Sequence, residues 1–69
     1  MAAHYEVYRH DVVFEDLEFL ADFDTERKAR FYARLYSRYH PGVDLIVQRS
    51  KKRVCAFRNA AEIDPIKLS

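Results

Sequence analysis

Residues 24–42 read DTERKARFYARLYSRYHPG, and this stretch decides the fold. At 100° per residue it predicts one amphipathic helix over residues 26–39. Ala29, Phe31, Tyr32, Ala33, Leu35, Tyr36 and Tyr39 fall on one broad face. Arg27, Arg30, Arg34, Ser37 and Arg38 fall on the other. Asp24 or Thr25 supplies the cap, because a short side-chain oxygen accepts an otherwise orphaned backbone N–H. Asp24 and Glu26 suit the positive end of the helix dipole, and Arg38 suits the negative end. His40-Pro41-Gly42 stops the helix: proline disfavours helix at the residue before it, and glycine accepts positive φ.

Upstream, residues 17–23 alternate, with Leu17, Phe19, Ala21 and Phe23 on one side and Glu18, Leu20 and Asp22 on the other. That period of two predicts a strand. Residues 4–14 are its expected partner. A tight turn at Glu15-Asp16 would set Tyr8, His10, Val12 and Phe14 beside the inward residues, and Arg9 opposite Asp22. Downstream, residues 43–49 and 53–58 read as two further strands joined near Ser50-Lys51-Lys52. Val43, Leu45 and Val47 oppose Ile46, and Val54 and Ala56 oppose Cys55 and Phe57. Strands apolar on both sides are usually covered on both sides, and one helix covers only one.

The expected fold class is therefore α+β: a small β-β-α-β-β domain, with an antiparallel or mixed sheet and one helix packed on a face. Residues 1–58 make the domain, and residues 59–69 a loosely ordered tail with an apolar anchor at Ile66. The pattern recurs in many small α+β domains and singles out no family.

The chain has 69 residues, of which 49% are apolar and ten are aromatic, so a compact core is within reach. A domain of this size buries only about 60% of its unfolded surface, and dimerisation is a common remedy. Leu20, Ile46 and Phe57 are expected off the helix-covered face, where they would carry self-association as a homodimer. The single cysteine, Cys55, excludes an internal disulfide and favours a reducing compartment, so the expected setting is cytoplasmic. The first residues hold no apolar signal-peptide core, and no apolar run reaches the roughly 20 residues of a membrane helix.

The net charge of +1 conceals a segregation. Residues 1–24 carry seven carboxylates against Arg9 alone, and residues 25–69 carry eleven Lys/Arg against four carboxylates. Such sorting points to a charged partner surface, or to two halves that attract on folding. The acidic candidates are Glu15, Asp16, Glu18 and Asp22. The basic candidates are Arg27, Arg30, Arg34 and Arg38 on the helix and Arg49, Lys51, Lys52 and Arg53 on the second hairpin.

Catalytic signatures are missing. One glycine permits no glycine-rich phosphate loop, and the chain holds no Cys-x-x-Cys, His-Glu-x-x-His or Ca²⁺ loop. His4 and His10, six residues apart on one strand, stand roughly 20 Å apart and cannot share an ion. Cys55 with His10, and Ser37 with His40, are the remaining nucleophile–base pairings. No metal, cofactor or catalytic residue is expected.

The leading expectation is a non-enzymatic binding protein, an inhibitor, adaptor or regulator acting stoichiometrically on a larger protein through a charged face. The alternative is a small DNA- or RNA-binding module using the helix arginines and the 49–53 hairpin. A hydrolase built on Cys55 ranks third.

Overall fold

Helix α1 (Glu26–Tyr39) forms at its expected bounds, capped by Thr25, whose Oγ1 accepts the N–H of Lys28 at 3.3 Å. The computed structural model describes residues 4–11, 13–14 and 16–64. Around the helix lie strands β1 (Tyr5–Asp11), β2 (Asp16–Phe23), β3 (Asp44–Arg49), β4 (Lys52–Arg58) and β5 (Ala61–Ile63). They form one five-stranded sheet in the order β2-β1-β3-β4-β5, antiparallel throughout. The helix packs on this sheet, chiefly over β3 and β4. The architecture is a small α+β domain, β-β-α-β-β-β.

Two departures change which surfaces are available. The first is β5, which lies where a tail is expected and pairs with β4, Ala56 opposite Ile63 and Arg58 opposite Ala61. Asn59 and Ala60 turn the chain with φ of 52° and 66°, and Ser50 and Lys51 do the same between β3 and β4 with φ of 52° and 66°. Paired left-handed residues give a two-residue hairpin the twist its strands need. Ile66 and the rest of 65–69 lie outside the described residues.

The second departure is register. Val7 pairs with Ala21 but Tyr8 pairs with Phe19, so Leu20 is left over as a bulge. An extra residue flips the alternation beyond it. Ala21 and Phe23 therefore share the helix side with Val7 and Tyr5, whereas Phe19 and Leu17 pair with Tyr8 and His10 on the other side. Arg9 faces Glu18, with Nη1 3.7 Å from Oε2, rather than Asp22. Asp11 pairs with Asp16, so the chain turns within residues 12–15 instead of at 15–16. Asp11 Oδ1 accepts the N–H of Val13 at 2.9 Å and of Phe14 at 3.4 Å. Val12 and Glu15 lie outside the described residues. A second bulge, at Val54, lets both Val54 and Cys55 approach the helix-side core.

That core joins Val7, Leu45, Val47, Cys55 and Phe57 of the sheet to Ala29 and Ala33 of the helix. Ala29, Ala33 and Ser37 are the fully buried helix residues, spaced four apart along one line. Ser37 locks the seam: its Oγ accepts the N–H of Ala60 at 2.8 Å and donates to the Arg34 carbonyl at 2.8 Å. The broad apolar face expected of the helix is therefore only partly inward. Tyr32 and Tyr36 pack at its edge, Tyr32 against Phe23 at 5.3 Å between ring centroids. Phe31 and Tyr39 point to solvent, 66% and 72% exposed.

The residues expected to carry self-association are not an exposed patch. Phe57 lies under the helix, with the guanidinium carbons of Arg30 and Arg34 at 5.7 and 5.4 Å from its ring centroid. Leu20 packs against the same core. Ile46 does lie on the far face, in a row Phe19–Tyr8–Ile46–Ala56–Ile63 that crosses all five strands, yet it is fully buried. Beside it Asp44, also buried, accepts two hydrogen bonds from Arg58, at 2.6 and 2.7 Å.

Two stability measurements check this packing. Ala33→Leu should cost about 1–3 kcal/mol, because the seam has no room for three extra carbons, while Phe31→Ala should change stability by less than ~0.5 kcal/mol. Urea unfolding midpoints in the reverse order would place the wrong helix face inward. Arg58→Met should cost about 2–3 kcal/mol, since it strands a buried carboxylate, though less than splitting a wholly enclosed pair because half of Arg58 is already solvated. Asp44→Asn should cost less than Arg58→Met in the same assay.

Candidate interaction surfaces

Among the described residues the exposed large apolar side chains fall into two groups. Val13, Phe14, Leu17 and Phe19 belong to the β1–β2 hairpin, and Phe31, Leu35 and Tyr39 to the helix. Scattered exposed apolar residues are ordinary, but groups within single elements mark contact surfaces.

The hairpin surface is acidic. β2 is the outer strand of the sheet, so among the described residues no strand neighbours one row of its backbone groups. Asp11, Asp16, Glu18 and Arg9 line a depression of about 130 Å³ at the turn end. Of the acidic candidates, Asp16 and Glu18 lie here. Asp22 does not join them, because the bulge puts it on the far face opposite Glu6, with its Oδ2 3.2 Å from His4 Nδ1. Glu15 is outside the described residues. Asp24, at the helix start, is held ionised by Lys28, 3.0 Å away, which pulls its carboxyl below the usual range.

The helix surface is basic. Arg27, Arg30, Arg34 and Arg38 span a roughly 80° arc at 3.6 residues per turn, and Phe31 adjoins it. Glu26, Arg27, Arg30, Phe31 and Arg34 line a groove of about 560 Å³. Arg30 is spoken for: it pairs with Glu62 of β5 and lies 3.8 Å from Glu26. Arg27, Arg34 and Arg38 have no carboxylate partner among the described residues. The second basic cluster sits at the same end as the helix start, since Gln48 pairs with Glu6 and Phe23, three residues before α1, pairs with Tyr5. There Arg49 donates to the Tyr5 hydroxyl at 3.2 Å and lies 5.4 Å from its ring. Lys51 is at the turn, Lys52 opposite Arg49, and Arg53 pairs with Gln48 beyond the Val54 bulge.

The catalytic pairings are not assembled. Cys55 faces the helix-side core, whereas His10, opposite Leu17 and Asp44, faces the other side of the sheet. Burial pushes the Cys55 thiol up to about 11, which leaves it protonated and a poor nucleophile near neutrality. Ser37 Oγ is committed to the seam, and the His40 ring stacks on Tyr36 with centroids 4.2 Å apart. Among the described residues no group of three or more His, Cys, Asp or Glu could hold a metal ion. No helix among them is long and apolar enough to cross a membrane.

The exposed helix residues were missed by pattern reading because Phe, Leu and Tyr were assigned inward by type. The signal was the Ala29-Ala33-Ser37 line, whose small residues mark the side that approaches closest. Compared with protein families, curated proteins and solved structures, the chain gives no match.

Cys55 gives a direct check on this geometry. The native protein at pH 8 should react with a thiol-specific aromatic disulfide far more slowly than the urea-unfolded chain, and native labelling should accelerate only as pH approaches about 11. Prompt stoichiometric labelling at pH 8 would show the thiol to be accessible.

Proposed function

We propose that this chain is a non-enzymatic binding protein that docks stoichiometrically on a basic surface of a larger protein through its β1–β2 hairpin. One observation carries the reading: the turn exposes Val13 and Phe14, and the outer strand exposes Leu17 and Phe19 on one face and Asp16 and Glu18, with Asp11 of the neighbouring strand, on the other. Apolar anchors supply affinity, and flanking charges supply orientation and partner choice. An open strand edge adds main-chain hydrogen bonds if the partner offers an extended segment. Acidic residues along β2 also oppose pairing with a second copy, because two-fold β2–β2 contact would set carboxylates against carboxylates. Self-association is accordingly not part of this reading. An inhibitor, adaptor or regulator works in this way. The lone cysteine supports a cytoplasmic setting.

The test is capture from the native host with the immobilised protein, its Phe14→Asp, its Glu18→Lys and its Arg38→Glu variants. All three positions are exposed, so far-ultraviolet circular dichroism should be unchanged. A single basic partner should be retained by the native and Arg38→Glu proteins and reduced at least tenfold by both hairpin variants. Capture insensitive to both hairpin changes would reject this surface.

A further inference from the structure

The helix surface has a chemistry the hairpin lacks. Phe31 and Tyr39 are exposed, Leu35 is more than one-third exposed between them, and Arg27, Arg34 and Arg38 run alongside with no carboxylate partner among the described residues. Arg34 is held in place by the Phe57 ring rather than by an anion, so its charge is oriented but not neutralised. We infer that the outer face of α1 binds single-stranded nucleic acid, with bases stacking on Phe31 and Tyr39 and phosphates held by Arg27, Arg34 and Arg38.

The two aromatics lie eight residues apart, roughly 12 Å along the axis, which gives successive bases two separate platforms with Leu35 between. Arginines flanking exposed rings are the arrangement that single-strand binding uses, because every base has a π-face and every nucleotide a phosphate. The groove of about 560 Å³ lined by Arg27, Arg30, Phe31 and Arg34, with Glu26 beside Arg30, continues this surface toward the start of the helix. Beyond it lies the end of the sheet that carries Arg49, Lys51 and Lys52, which extends the positive potential past the helix. The acidic β1–β2 turn lies at the end of the sheet where the helix finishes, since His10 pairs with Asp44, so the phosphates of a bound strand are favoured most toward the helix start. Duplex fits less well, since its bases are already stacked and offer only edges to a phenyl ring. A second copy of the helix is disfavoured, because the contact would bring three unpaired arginines against their equivalents. The inference is independent of the hairpin reading, as it uses another surface.

Fluorescence anisotropy with labelled oligo-dT and oligo-rU of about 12 nucleotides tests it, at roughly 50 mM salt. Binding should occur at micromolar protein and weaken steeply with added salt. Phe31→Ala and Tyr39→Ala should each raise Kd about tenfold, the order expected for one lost stacked base. Arg27→Gln and Arg38→Gln should each reduce the slope of log K against log salt by about 0.7. Phe14→Asp should leave binding unchanged, and a duplex of equal length should compete more weakly than the single strand. Absence of binding overturns the inference. So does binding that Phe31→Ala and Tyr39→Ala do not weaken, or that a duplex matches, because either would reduce the surface to non-specific charge. Circular dichroism of the variants confirms the fold, and both ring positions are exposed enough to tolerate alanine.

Discussion

The rest of the structure depends on how closely helix α1 approaches the sheet. Ala29, Ala33 and Ser37 present almost no side-chain bulk, so the helix settles directly over Leu45, Val47, Cys55 and Phe57. Close approach lets a core of few residues reach full burial, which a 69-residue chain without disulfides needs. It also fixes rotation about the helix axis. Once the Ala-Ala-Ser line is inward, Phe31 and Leu35 must lie opposite, and Tyr32 and Tyr36 must lie at the rim. Ser37 then makes the position specific, because its hydroxyl is the partner of a backbone N–H in the β4–β5 turn. The short strand β5 thus has a tether to the helix as well as a ladder to β4, and Arg30 with Glu62 adds a second.

The charge segregation of the sequence becomes a separation in space, and topology is the reason. The acidic residues nearest the β1–β2 turn gather at one end of the sheet. The helix start and the β3–β4 turn gather at the other, because β2 runs away from that acidic turn to reach α1. The two halves do not neutralise each other across the core. Lys28 with Asp24 joins the two, whereas Arg30 pairs with Glu62 and Glu26 inside the second half. The pair that satisfies a buried carboxylate, Asp44 with half-exposed Arg58, comes wholly from the second half. Its bidentate geometry satisfies a carboxylate that burial would otherwise make costly.

Much of the fold was legible and the surfaces were not. The helix bounds followed from caps, since Thr25 and the Pro41-Gly42 stop act locally. Strand β2 followed from alternation, β1 as its expected partner, and β3 and β4 from short runs apolar on both faces around Ser50-Lys51-Lys52. Strand β5 was illegible because three residues cannot show a period, and its turn uses Asn59-Ala60 in place of a glycine. The hairpin register was illegible for a different reason. A bulge at Leu20 is set by twist and packing, not by residue type, and one extra residue exchanged the faces of Leu17, Phe19 and Glu18 relative to Ala21 and Phe23. Residue type also misled at Phe57 and Phe31. Each was assigned by hydrophobicity and by the parity of its strand or helix, and each lies on the side opposite to the one assigned.

The outward apolar residues are the strongest physical statement the chain makes about what it does. Stability asks little of the most exposed of them, Val13, Phe14, Phe31 and Tyr39. Phe31, Leu35 and Tyr39 sit on a solvent-facing stripe where Ala, Lys or Glu would form helix as well or better. Val13 and Phe14 sit in a turn whose conformation is fixed by Asp11, and polar residues would serve it equally. Each exposed ring carries a solubility cost that charged neighbours only partly offset. The two groups are flanked by charges of opposite sign, acidic at the hairpin and basic at the helix. A single sticky surface would not sort in this way. Two partners of opposite charge would account for it: one basic and protein-like at the open strand edge, and one anionic and aromatic along the helix.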